Sequence, residues 1–175
     1  MKVISTASAT LMALLGTYTA AALAAGPSDP QIAAIVVTAN QVDIDAGKLA
    51  QSKAQSADVK EFAGRMVTDH MGVNKSASEL VKKLHVKPES NPTSESLKQQ
   101  GEQNVAALHK LSGAEFDKAY VDHEVVYHQA VLDAVDKTLI PSAQNAELKA
   151  LLVKVRPAFV DHLEHAKKIQ SSLGK

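Results

Sequence analysis

Apolar residues recur every three or four positions along four long stretches of this chain, and that spacing commits it to helices that each bury one face. Ile32, Val36, Ala39, Val42, Ala46 and Leu49 form the first stripe, in a helix expected from Pro30 to about Gln55. Asp29 suits its N-cap, and Pro30 sits where a first-turn proline is tolerated. Ser56-Ala57-Asp58 opens a second helix whose stripe is Val59, Phe62, Ala63, Met66, Val73, Ala77, Leu80, Val81 and Leu84. The break between the two is short, so they must pack antiparallel.

Val86 to Pro92, with two prolines, reads as a linker, followed by a weaker helix from about Ser94 to Leu111. Ser112-Gly113-Ala114-Glu115 has the form of a capping box. It opens a strong helix from about Ala114 to Leu139 with Phe116, Tyr120, Val131, Ala134 and Val135 on one side. Pro141-Ser142 ends it, and Leu148, Leu152, Val155, Phe159, Leu163, Ala166, Ile169 and Leu173 mark the last. No strand alternation and no repeat is visible. The expected fold is all-α, a four-helix bundle with one short extra helix in a long crossover between its second and third helices, which is ferritin-like connectivity.

Aromatic residues are only 3% of the 175 residues and Trp is absent, so the core must be built from Ala, Val, Leu and Ile. Met1-Lys2, the apolar run Val3 to Leu15 and the small residues Ala20 to Gly26 read as a signal peptide, residues 1–24, cut after Ala24. Residues 25–175 are then one domain, expected in the periplasm or secreted. No later stretch approaches the ~20 continuous apolar residues of a membrane span. The 19 basic and 19 acidic residues balance, which leaves no electrostatic footprint for nucleic acid. The absence of Cys excludes disulfides, thiol nucleophiles and thiolate ligands, leaving His, carboxylates, Tyr and hydroxyls to carry any chemistry.

The informative positions are polar residues on apolar stripes: Asp43 on the first helix, His70 on the second, Tyr120, Glu124 and His128 on the third long helix, and His162 on the last. Counting from the first turn, Asp43 and His70 share a level roughly 20 Å away at 1.5 Å per residue. In the second hairpin, His128 and His162 count out to an offset on the order of 10 Å, which the N-terminal lean of helical side chains reduces, and which makes Glu124 as eligible as His128. Pro157, inside the last helix and near His162, implies either a kink or a break between two shorter helices.

Asp43-Ile44-Asp45-Ala46-Gly47-Lys48-Leu49-Ala50 and Phe62-Ala63-Gly64-Arg65-Met66-Val67-Thr68-Asp69-His70 resemble the opening of the domain-of-unknown-function 4142 family. Phe116-Asp117-Lys118-Ala119-Tyr120 followed by His128 is similar to its central motif, and Pro157 through His162 to its closing element. The resemblance spans about Pro30 to Leu173 and implies an exported ferritin-like bundle without an established reaction. Asp43 stands where the family usually has Glu, and Val155-Arg156-Pro157 departs from the usual Leu before Pro.

Ferritin-like di-iron proteins use Glu-x-x-His pairs, and this chain has none. What remains is a candidate site of His70, His128 and His162 with Asp43 or Glu124, suited to a divalent ion such as Zn, Fe, Mn or Cu. Asp69 is a candidate to orient a ring from behind, and Tyr120 reads as a core phenol donating to a carboxylate. The competing reading is a polar layer that fixes register and binds nothing, in a non-catalytic structural or interaction module of the cell envelope. Asp117 reads as a dipole partner in its own first turn. His85, His109, His123 and His165 read as surface residues, with Asp161–His165 and Asp122–His123 as solvated pairs. No catalytic constellation is visible, and an envelope partner or a homo-oligomer stays open.

Overall fold

The computed structural model of the chain describes residues 26–174, so the expected leader, residues 1–24, lies outside them. They form α1 (Asp29–Lys53), α2 (Ala57–Lys83), α3 (Pro92–His109) and α4 (Gly113–Ala134). One turn of π-helix (Val135–Leu139), the short α5 (Ile140–Ser142) and the long α6 (Ala146–Leu173) complete the chain. There is no strand among the described residues. Helices α1 and α2 make one antiparallel hairpin, α4 and α6 the other, and α2 packs on α6 to join them. The crossover helix α3 lies along α1 and barely meets α4.

Small residues set these distances. A Cβ at Gly47 would stand 2.9 Å from Val67 Cγ2 and 3.2 Å from the Ala63 carbonyl, so α1 and α2 approach closely there. A Cβ at Gly101 would stand 2.6 Å from Val42 Cγ2, so α3 seats on α1 only because that position is bare.

The helix ends differ from the sequence reading. The N-cap of α1 is Ser28, whose amide donates to Gln31 Oε1 at 3.1 Å. Asp29 instead accepts from the amides of Gln144 and Asn145, both at 2.9 Å, at the entry to α6. Asp117 is buried and accepts from the amides of Gln55 and Ser56 at 3.0 and 2.7 Å, at the entry to α2. Each carboxylate therefore binds two amides at the turn of the other hairpin and ties the two hairpins together. The Ser112–Glu115 capping box does not form: Ser112 makes no side-chain cap, and Gly113 enters α4 at φ +62°, where a Cβ would be strained.

Pro157 does not break α6, which runs on through it. The irregularity lies instead in the π turn, where the Ile140 amide donates to the Val135 carbonyl five residues back. Pro141 follows at once, with no N–H to continue an α-helical ladder. The helical run therefore reaches Ser142, which puts the hairpin turn farther from His128 than the sequence count assumed.

Two apolar clusters fill the bundle. One gathers Ile32, Val36, Leu132, Leu152 and Phe159 around its centre, the other Ala50, Phe62, Met66, Phe116 and Ile169. Between them lies a layer of polar side chains.

Candidate metal centre

The layer is formed by Asn40 and Asp43 from α1, His70 from α2, Glu124 and His128 from α4 and His162 from α6, all buried to 3% exposure or less. The three imidazoles form a near-equilateral triangle, with ring centroids 5.6 Å apart for His70–His128, 5.2 Å for His70–His162 and 5.3 Å for His128–His162. The offset expected between His128 and His162 is absent. They stand fifteen and seventeen residues from the true turn at Ala143–Asn145, and so share one level.

Each ring is held from behind by one nitrogen. His70 Nδ1 lies 2.7 Å from Asn40 Oδ1, and the Asn40 amide group donates onward to the Val36 carbonyl at 2.7 Å, which leaves Oδ1 as the acceptor. His128 Nδ1 lies 3.1 Å from the Glu124 carbonyl, and His162 Nε2 lies 2.9 Å from Asp69 Oδ2. Arg65 in turn donates to Asp69 at 3.3 Å. A neutral imidazole that donates through one nitrogen presents a lone pair on the other. Those other nitrogens, His70 Nε2, His128 Nε2 and His162 Nδ1, are buried and have no hydrogen-bond partner.

One ring nitrogen from each histidine lies within 4.8 Å of the other two, and ligand atoms of Asp43, Glu124 and His128 form a second such group. Asp43 Oδ2 is 3.5 Å from His70 Nε2, and Glu124 Oε2 is 3.3 Å from His128 Nδ1. Both Glu124 carboxylate oxygens and the Tyr120 hydroxyl are also buried without a partner. The Tyr120 hydroxyl faces the Glu124 carboxylate, the neighbour expected of it, in a contact looser than a regular hydrogen bond. The Tyr120 ring sits edge-on to Phe62 at 6.2 Å and parallel to Phe116 at 6.4 Å.

The electrostatics follow from burial. Desolvation pushes the Asp43 carboxyl well above the ordinary range, with His128 pulling against it. Desolvation holds His70 well below its usual value, and the neighbouring His128 and His162 add to that. It also carries His162 down to about 4 despite the Asp69 hydrogen bond. Against the same desolvation, the Asp43 and Glu124 carboxylates lift His128 to about 9, so at neutral pH this ring carries a proton on Nε2 that a metal ion would have to displace, unlike His70 and His162. Burial, then Glu124 and Asp43, keeps the Tyr120 phenol protonated.

Sequence reasoning missed Asn40 and Tyr127. Asn40 lies four residues after Val36 and three before Asp43, on a helical row one position from the apolar stripe through Ala39. Tyr127 is half-buried and donates to the Ala39 carbonyl at 3.0 Å. Among the residues read as surface, His123 is half-buried, stacks on Tyr127 at 5.6 Å and has a lowered pKa from burial. His165 is half-buried edge-on to Phe62 at 5.2 Å. The expected pair of Asp122 with His123 does not form, since Asp122 accepts from Lys118 and Gln170. His85 and His109 are exposed as expected.

No helix among the described residues is long and apolar enough to cross a membrane. No curated protein and no solved structure matches the chain. The family described as Domain of unknown function (DUF4142) matches residues 15–169, which takes in every helix of the layer. Every residue of the buried histidine–carboxylate layer lies within the matched region, and the chain belongs to the DUF4142 family.

Proposed function

We propose that this protein is an exported metal-binding bundle of ferritin-like type that holds one divalent transition-metal ion. His70, His128 and His162 would supply imidazole nitrogens, and Asp43 or Glu124 an oxygen. The observation that carries this reading is the set of buried nitrogens without partners, His70 Nε2, His128 Nε2 and His162 Nδ1, each on a ring whose other nitrogen is already anchored. Orienting a ligand imidazole through its far nitrogen is how metal sites fix tautomer and aim. A layer that only fixed register would satisfy its own donors and acceptors, because each unpaired buried group costs about 1–3 kcal/mol.

Metal–nitrogen distances near 2.0–2.1 Å imply ligand nitrogens about 3.3 Å apart in a tetrahedron, so the rings need close in by only on the order of 1 Å. Three imidazoles and a carboxylate suit Zn²⁺, Fe²⁺, Mn²⁺ or Cu²⁺. No Ser-His-Asp triad, phosphate loop or thiol accompanies them, so binding, and not a particular reaction, is the function proposed.

The test is metal content in protein recovered from the periplasm, which begins at Ala25 if the leader is removed as read. After stripping and reconstitution with each of the four metals in turn, the wild type should retain one equivalent of at least one of them. A His70→Ala, His162→Ala double variant with unchanged helical circular dichroism should retain none. Failure of the folded wild type to hold any of the four would contradict the proposal.

A further inference from the structure

A cavity of about 520 Å³ runs from the surface between α1, α3 and α4 down to the polar layer. It exists because α3 leans on α1 and leaves α4 largely uncovered. Ala130, Ala134 and Thr138 stand exposed along its outer wall, and Ile35, Leu152 and Phe159 make its depth apolar. Among the described residues that line it, Asp43 is the one acidic or basic side chain besides His70, and the two stand together at its inner end. Asp43 Oδ2 lies 3.5 Å from His70 Nε2, a buried nitrogen that makes no hydrogen bond. Because His70 Nδ1 donates to Asn40, Nε2 is left to accept. Two acceptors therefore converge where the cavity ends. Glu124 and His128 stand behind them, with one ligand atom each of Asp43, Glu124 and His128 within 4.8 Å of the others. Two carboxylates share that one imidazole, which leaves the inner end electronegative.

We propose that this cavity binds a primary alkyl amine, its tail along the apolar walls and its ammonium between Asp43 and His70 Nε2. An ammonium brings three donors and a positive charge, which suits two acceptors of which one is a carboxylate. A buried carboxylate is costly to hold without a counter-charge, and this ligand supplies one. Pockets of this size grip small organic molecules by apolar walls and orient them by a few polar groups at one end. A carboxylate head would meet Asp43 as a like charge, and an alcohol would leave Asp43 without a cation. A quaternary ammonium has no N–H to give to His70. The inference needs no bound metal, so it stands or falls apart from the metal-binding reading above.

The test is calorimetry on the full mature chain, stripped of metal and with its helical circular dichroism intact. The ligands are hexylamine, hexan-1-ol, hexanoate and hexyltrimethylammonium, which differ chiefly in the head group. Hexylamine should bind saturably at one site, at least about tenfold more tightly than the other three. Asp43→Asn, which keeps the shape of the side chain, should bring hexylamine level with hexan-1-ol. Ala134→Trp, which fills the mouth and leaves Asp43 in place, should weaken hexylamine at least about tenfold, and it keeps the proposal testable should Asp43→Asn not fold. No saturable amine binding, or binding of hexan-1-ol, hexanoate or hexyltrimethylammonium as tight as that of hexylamine, would overturn the proposal. Hexylamine affinity unchanged in the folded variants would place the amine elsewhere and overturn it equally.

Discussion

Asn40 decides which nitrogen His70 offers. Its Oδ1 accepts a hydrogen bond from Nδ1–H, so the lone pair on Nε2 faces Asp43. Asn40→Ala should leave the fold in place but lower metal affinity roughly 10–100-fold, measured by competition with a chromogenic chelator, while Asn40→Asp, which keeps an acceptor, should lose less. A second prediction concerns protons. His162 titrates near 4 in the folded protein against 6.5 in the unfolded chain, so between those values the unfolded chain binds a proton that the folded one refuses. Its contribution to stability is therefore full above pH 6.5 and lost as pH falls toward 4. Relative to His162→Gln, the metal-free wild type should lose up to about 3 kcal/mol across that window in urea denaturation, with no pH-dependent difference from this group above it. The histidines were legible as polar residues on apolar stripes. Their anchors were less so: Asn40 is one position off the row that was read, and Asp69 was eligible only in general terms, because spacing does not say which of three rings it meets.

Helix α3 shows what an element owes to a single bare position. Gly101→Ala should gain about 1 kcal/mol from helix propensity alone, yet the new methyl would lie inside the contact distance of Val42. The expected net result in urea denaturation is a loss of about 1–3 kcal/mol, relieved in a Gly101→Ala, Val42→Ala double variant. A stabilised single variant would mean that α3 does not seat on α1 as closely as described. At this scale the sequence was informative about the helices and poor about their ends. Periodicity places every long helix, because burial of one face is a property of the helix itself. The caps failed because Asp29 and Asp117 are spent on the turns of the opposite hairpin, a tertiary choice that local motifs do not encode. The level of His128 does not follow from counting to Leu139, because the helical run continues through the π turn to Ser142.

For the molecule as a whole, the two apolar clusters provide the stability and the layer between them provides the only dense group of buried ionisable side chains among the described residues. Keeping two carboxylates and three imidazoles dry costs free energy that a metal ion would offset by joining charges the protein otherwise holds apart. X-ray absorption on the metal-reconstituted protein tests that idea most directly. The account predicts a low-coordinate shell with three imidazole nitrogens near 2.0–2.1 Å, one or two oxygens beside them, and the outer-shell scattering of three rings. A shell of oxygens alone, or one with a single imidazole, would contradict it.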